Sequence, residues 1–299
     1  MQARLQPGSL LPRRLLVVSD APRVLYYALG GGLGHLVRAG RFLRAQGAAE
    51  NALILSASEH ADDVRLNAGV AVRPVPWTLQ HDIPALRGWL AETIESFEPE
   101  IVCVDCFPAG ILGELAGLSP LAGRRLWHVA RLLRWNEAVP LAANAPHYEL
   151  VWKLEPLHSA HESWLRERCN QMHEACLQVP AMPPRSLPNG QAFWLVAHSG
   201  PQQEVAELIA YALEQRRIEA VDVAIAVASF DPPLPLPEPC VQITAVPLAG
   251  WYESARRIFG AAGFNFVAET DPHRKKRVLL PFPRRFDDQF ERARRSREA

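Results

Sequence analysis

The sequence carries no surplus of either charge: Lys+Arg and Asp+Glu both total 32 in 299 residues, a formal net charge of zero. Nucleic-acid binders usually carry a basic excess to meet the phosphate backbone, so this balance argues against DNA or RNA as the main partner. Cysteine is scarce as well. Five in a chain of this length do not make a disulfide framework, and a reducing, cytoplasmic location is expected. No apolar run approaches the ~20 residues that span a bilayer. The opening MQARLQPGSLLPRRLLVVSD has no long apolar core followed by a small-residue cleavage site, so it is not read as a signal peptide. Its LLVV is expected to add an edge strand or to rest against the domain. A closed metal pattern is lacking too. Cys103 and Cys106 sit in the apolar run IVCVDCF, which reads as a buried strand and its exit. His158, His161, Cys169, His173 and Cys176 are read on helical segments, the last three on one face, but they form no closed four-ligand set and no metal is expected.

Hydrophobic residues at 48% and charged residues at 21% describe an ordinary globular protein with room for two α/β domains. Arg23–Leu29 is a run of strand formers, followed at once by Gly30-Gly31-Gly32-Leu33-Gly34-His35 and a helical pattern through Gln46. Strand, glycine turn and helix open a βαβ unit. Further short apolar strands are expected at 52–56, 70–75, 101–105 and 125–129, with helices between, which implies a parallel sheet covered on both faces. The proline-rich stretch Pro180–Gly190 reads as a linker, after which the pattern restarts. Strands are expected at 193–197, 221–228 and 241–246, and helices at 203–216 and 252–259. Two such series joined by a linker predict two doubly wound domains, residues 1–180 and 181–299.

Glycines in a strand-to-helix turn let the backbone come close to a ligand, and the following helix N-terminus offers free N–H groups to an anion. His35 stands at that helix start, on the sheet edge where ligands of open α/β sheets bind, and an imidazole there can serve as a base near neutral pH. The second strand, LILSAS, ends in Ser and not in an acid, which disfavours NAD. His198-Ser199-Gly200 occupies the matching turn of the second series. Gly263 opens a helix that carries Glu269, and the strand VLLPF delivers Asp287, Asp288 and Gln289 to the same edge. Taken singly, each has a plainer explanation: a turn residue, a surface acid, an N-capping Asp.

As an ordered array these residues resemble the GT-B glycosyltransferases typified by the peptidoglycan N-acetylglucosaminyltransferase. The counterparts are Gly31, Gly32, Gly34 and His35 at one end. At the other they are Ala262, Gly263, Phe264, Asn265 and Glu269, then Pro281, Asp288 and Gln289. The resemblance implies an α/β GT-B fold, with an acceptor-side domain, a nucleotide-sugar domain and a cleft between them. It implies metal-independent transfer of a sugar from a nucleoside-diphosphate sugar, UDP-linked by this likeness, to an unknown acceptor, with no cofactor besides that donor. His35 would be the base or an acceptor-side ligand, Ser199 and Gly200 diphosphate ligands, and Glu269 a ribose ligand. Gly32, Gly34, Gly263 and Asn265 would line the donor site, with Asp288 and Gln289 on the sugar. Where family members place G-x-P after the Glu helix, this chain has the charged Asp271–Arg277. About ten residues follow Gln289, where members continue into helices that return to the first domain.

Gly32-Leu-Gly-His-Leu-Val-Arg38 is also similar to the G-x-G-H-x-x-R of compact UDP-sugar hydrolases, in which His35 would position water. A protein that binds without turnover is the third reading. Asp105, Phe107 and residues 131–135 are candidates for an acceptor pocket. Arg38, Arg41 and Arg44 recur every three residues; exposed helix charges are the plain reading, a peripheral membrane or anionic-acceptor contact the sharper one. For the Arg-rich stretch 284–297 the plain reading is likewise a solvated C-terminal helix, and contact with phosphates or an anionic surface the sharper one. The oligomeric state is open.

Overall fold

The computed structural model describes residues 21–30, 32–244 and 246–298; the LLVV segment and Gly31 lie outside them. The first half of the chain builds a seven-stranded parallel sheet from β1 (Val24–Ala28), β2 (Ala52–Ser56), β3 (Ala71–Pro74), β4 (Ile101–Asp105), β5 (Arg125–Ala130), β6 (Tyr148–Lys153) and β7 (Cys169–Glu174). Its strand order is β3-β2-β1-β4-β5-β6-β7. The second half builds a five-stranded parallel sheet from β8 (Phe193–Ala197), β9 (Ala224–Ala228), β10 (Cys240–Gln242), β11 (Arg257–Ala261) and β12 (Arg277–Leu280). Here the order is β10-β9-β8-β11-β12. The helices are α1 (Leu33–Ala45), α2 (Ile83–Phe97), α3 (Trp135–Ala138), α4 (Ser159–Arg166), α5 (Gln202–Ile218), α6 (Ala249–Ser254), α7 (Phe264–Glu269) and α8 (Gln289–Glu298).

The central strands β1, β4, β8 and β9 are buried along their whole length, as expected where helices cover both faces of a parallel sheet. The edge strands β3 and β7 are mostly exposed, and their sequences AVRP and CNQMHE show it. Each sheet reverses its winding once, between β1 and β4 and between β8 and β11. The crevice beyond the strand ends at such a reversal is where ligands of open sheets bind. Both crevices face the same space.

The two sheets meet through α1 and α7. Leu36, Ala39 and Phe42 of α1 share one buried cluster with Phe264 of α7 and with Leu177 from the stretch after β7, and Phe230, Val246 and Ala268 pack against it. The proline-rich stretch is laid down rather than free: Leu187 is buried in the core under the second sheet, and the Arg185 N–H bonds the Gly250 carbonyl at 3.0 Å. The chain then returns. Leu133 and Asp287 form an antiparallel bridge, the Arg134 N–H bonds the Phe286 carbonyl at 2.7 Å, and Arg292 of α8 reaches Glu155 with two nitrogens at 2.8 Å. So the crossing back to the first sheet is made by residues 284–298, where the arginine-rich sequence predicts a solvated helix.

Several elements differ from the sequence expectation. The links from β2 to β3 and from β4 to β5 are turns, with a 3-10 helix at Ser119–Leu121, where helices are expected, and β10 is Cys240–Gln242 where a strand over 241–246 is expected. Residues 257–261 form the strand β11 beside β8, not the tail of a helix, because the chain turns extended at Ala255. Strands β6 and β7 were not foreseen. In consequence Cys169 and His173 stand on a strand rather than on a helix.

Candidate functional site

The glycine turn after β1 places His35 as the third residue of α1, with Gly32 as an extended N-cap that contributes no side chain. The His35 ring lies over Gly30, where a β-carbon would collide with it, so glycine at 30 leaves room for the imidazole. His35 Nδ1 is 2.5 Å from Oδ2 of Asp105, the last residue of β4 and so directly across the reversal from β1. Four further donations hold that carboxylate: Arg38 Nε to Oδ1 at 2.8 Å, Arg38 Nη2 to Oδ2 at 2.6 Å, the Tyr26 hydroxyl to Oδ1 at 2.8 Å, and the Cys106 thiol to Oδ2 at 3.5 Å. Asp105 has no exposed side-chain surface and Arg38 only 3%.

These neighbours set the charges. Burial pushes the Asp105 carboxyl up, but the Arg38 charge and the bonds from Arg38 and His35 outweigh it and hold it well below the usual range. Burial pushes His35 down from 6.5, with Asp105 opposing. At neutral pH the pair is therefore an ionised carboxylate accepting Nδ1–H from a neutral imidazole, which leaves Nε2 unprotonated. Among the described residues, His35, Asp105 and Cys106 are the one group of His, Cys, Asp or Glu close enough to share a metal ion. Arg38 Nη2 already occupies its middle, 3.1 Å from His35 Nδ1, 2.6 Å from Asp105 and 3.0 Å from Cys106 Sγ. A permanent cation thus stands where the metal would.

The facing wall starts from β8. His198 follows it, its Nε2 is 2.7 Å from Glu204 on α5, and Arg284 grips the same carboxylate at 2.6 and 2.5 Å. Ser199 is exposed at the mouth and Gly200 leads into α5. Gly263 caps α7 without a side-chain bond, and the Asn265 amide crosses the cleft to the Gly34 carbonyl at 3.1 Å. Glu269 also meets the other wall: Arg41 reaches Oε1 at 2.7 Å, while the Tyr252 hydroxyl holds Oε2 at 3.1 Å. The cleft between the walls measures about 1820 Å³, and His35, Ser199, Gly200, Gly263, Asn265 and Glu269 all border it.

Gly32, Gly34 and Gln289 border the cleft as well. Gln289 is largely spoken for, since its Oε1 accepts the Phe282 N–H at 3.0 Å. Asp288 caps α8 through the Glu291 N–H at 3.1 Å and receives His158 at 2.9 Å. The acid on the cleft wall at this point is Asp287. Burial pushes its carboxyl up, yet Arg131 and Arg292 hold it down to about 2. Of the residues considered for an acceptor pocket, Arg131 borders the cleft, whereas Phe107, Leu133 and Trp135 pack into a buried cluster of their own. Of the three arginines of α1, Arg44 is exposed as expected and bonds the Ala68 carbonyl at 2.5 Å, whereas Arg38 is buried on Asp105 and Arg41 is half-buried and bonds Glu269. The five His and Cys residues weighed for zinc form no ligand group among the described residues. His161, for example, is stacked on Trp135 with centroids 4.0 Å apart.

Sequence reasoning missed Glu204, and it missed the carboxylates that Arg38, Arg41 and Arg284 bind: Asp105, Glu269 and Glu204. Two signals were present: an arginine one turn after His35, and an acid closing the apolar run IVCVD beside the reversal.

No family model and no curated protein matches the chain. Solved structures do. The glycotransferase of kitacinnamycin superposes with a TM-score of 0.62 at 15% identity, covering 94% of this chain and 85% of that one. The Streptomyces sp. SF2575 glycosyltransferase SsfS6, complexed with thymidine diphosphate, gives 0.56 at 15% identity, covering 91% and 85%. The S. aureus MnaA–UDP co-structure gives 0.56 at 11% identity, covering 87% and 79%. At these identities the likeness is one of architecture: two parallel sheets facing each other across a cleft, the GT-B fold.

Proposed function

We propose that the protein is a glycosyltransferase that moves a sugar from a nucleoside-diphosphate sugar to an acceptor hydroxyl, without a metal. The observation that carries this reading is the pair His35–Asp105, locked by Arg38, at the reversal of the first sheet and facing the turn 198–200 at the reversal of the second. His35 Nε2 takes the acceptor's proton as its oxygen attacks the anomeric carbon. The bond from that carbon to the phosphate oxygen breaks, and the diphosphate leaves with the electron pair. Asp105 stabilises the imidazolium so formed. The Ser199 hydroxyl and the amide of Gly200 receive the diphosphate, Gly263 and Asn265 line its path, and Glu269 accepts the ribose hydroxyls. Gln289 borders the sugar, with Asp287 rather than Asp288 as the neighbouring acid. Arg38 fills the space between His35, Asp105 and Cys106, where a metal ion would otherwise be held. Two of the superposed structures hold thymidine diphosphate and UDP, which supports a nucleoside diphosphate as the shared ligand. The free cysteines of the described residues fit a reducing interior.

Water in the acceptor's place would turn the same dyad to hydrolysis, so the assay must separate the two. UDP or thymidine diphosphate should raise the melting temperature. His35→Ala should keep that rise and lose roughly 10²–10⁴ in turnover. Undiminished turnover removes His35 as the base. Release of free sugar without any acceptor replaces transfer with hydrolysis, and a full panel of nucleotides without stabilisation removes the reading altogether.

A further inference from the structure

The two walls of the cleft repeat one device. On each, a histidine ring lies over a glycine whose β-carbon would collide with it, His35 over Gly30 and His198 over Gly200. On each, the imidazole binds a carboxylate that an arginine holds in place. The first of these is used by the proposed reaction and the second is not. We infer that His198 and Arg284, poised on Glu204, form a proton-gated seat for the diphosphate of the donor. This deepens the reading of a nucleoside-diphosphate sugar site and rests on it for the identity of the ligand.

The His198 ring is fixed on three sides. Nε2 is bound to Glu204, the ring stacks on Phe282 with centroids 5.6 Å apart at 21°, and Gly200 lies beneath it. Nδ1 has no hydrogen bond among the described residues, and His198 borders the cleft with 9% of its side chain exposed. Arg284 borders the cleft too and keeps 31% exposed. The charged groups facing His198 are Glu204 from α5 and Arg284 from the turn after β12. With His198 neutral this trio sums to zero and has no net pull on an anion. A proton taken from solvent at Nδ1 makes it +1 and turns Nδ1 into a donor aimed at a phosphate oxygen, while Glu204 keeps the imidazolium paired. Burial pushes His198 down from 6.5, so the free protein is neutral there near pH 7 and takes up its proton as the anion binds. Arg284 spends its two terminal nitrogens on Glu204 and contributes a fixed positive charge at the cleft wall. Ser199, between the histidine and the glycine, supplies a neutral donor.

The test is titration calorimetry with inorganic pyrophosphate, UDP and uridine, in two buffers of different ionisation enthalpy, on the wild type, His198→Gln and Arg284→Gln. The wild type should take up about one proton per pyrophosphate or UDP bound and none with uridine. His198→Gln should abolish the uptake and weaken pyrophosphate and UDP about tenfold, leaving uridine unchanged. Arg284→Gln should weaken both anions similarly; should His198→Gln fail to fold by circular dichroism, this variant carries the test. Pyrophosphate binding with proton uptake but no UDP binding supports the seat and removes the nucleotide reading. UDP binding that His198→Gln and Arg284→Gln leave intact overturns the seat and keeps that reading. A wild type that does not bind pyrophosphate overturns the seat.

Discussion

The two walls use the same residue types and differ in how firmly they are held. Asp105 is fully enclosed, receives five donations, and has a guanidinium that is itself 3% exposed. Glu204 keeps 14% of its side chain exposed, and its arginine keeps 31%. The first carboxylate ends a central strand, while the second sits in the first turn of a helix and borrows its cation from the far end of the chain. Enclosure fixes charge: removing water strengthens each interaction and makes any unpaired group costly. The first wall suits a step in which a proton moves and the surroundings must not. The second suits a ligand whose charge arrives and departs.

The sharpest way to break this comparison is to remove each carboxylate. Asp105→Ala leaves the Arg38 cation buried and unpaired and should cost about 3–5 kcal/mol in urea unfolding. Glu204→Ala, which leaves an Arg284 that is 31% exposed to water, should cost about 1 kcal/mol or less. Equal losses would show that the two walls are held alike.

Acid should act through the body of the first sheet. Burial pushes His128 down to about 4 and His161 down to about 3, the latter with both ring nitrogens unbonded. Their unfolded forms protonate near 6.5, so the unfolded state binds more protons between 6.5 and these values. Stability should then fall as pH drops through that window, by at most on the order of 3 kcal/mol for His128 and 5 kcal/mol for His161. His161→Phe should flatten the slope in a urea series from pH 7 to 4.5; an unchanged slope assigns the acid sensitivity elsewhere. The same logic places the acid limb of kcat/KM below 6.5, because His35 must be unprotonated to act and its neutral form persists to lower pH than in water. A limb above 6.5 would mean that Asp105 dominates over burial.

An effect as small as that of Glu204→Ala is expected at the contact that joins the walls. Arg41 and Glu269 are 22% and 13% exposed, and Arg41→Gln should cost roughly 1 kcal/mol, readable as a drop in melting temperature of a few degrees. A loss as large as that of Asp105→Ala would make this contact part of the rigid wall.

Much of the frame was legible. Strands 52–56, 101–105 and 193–197 were expected where they stand, because a buried parallel strand is a short apolar run bounded by turn residues. The edge strand β7 was not legible, since CNQMHE has one exposed face and little apolar signal. Strand β11 hid because RIFGA follows a helix so closely that its apolar residues continue the helical pattern. In the site, His35 stood out by its place after the glycines. Asp105 was noticed only as a possible acceptor contact, since the partners of the dyad lie 70 residues apart.

By itself the sequence determined the elements that rest on short-range chemistry: glycine where a ring or a ligand needs space, apolar runs where a strand is enclosed, and the turn that sets His35 at the head of α1. The tertiary structure decided which charges meet. Arg41 with Glu269 is separated by 228 residues, Arg284 with Glu204 by 80 and Arg131 with Asp287 by 156. Pairing of this kind depends on which strand ends and helices the two sheets bring to one cleft, and periodicity along the chain carries no record of it. That is why Asp288 read as a sugar ligand and serves as a helix cap, while the neighbouring Asp287 faces the cleft.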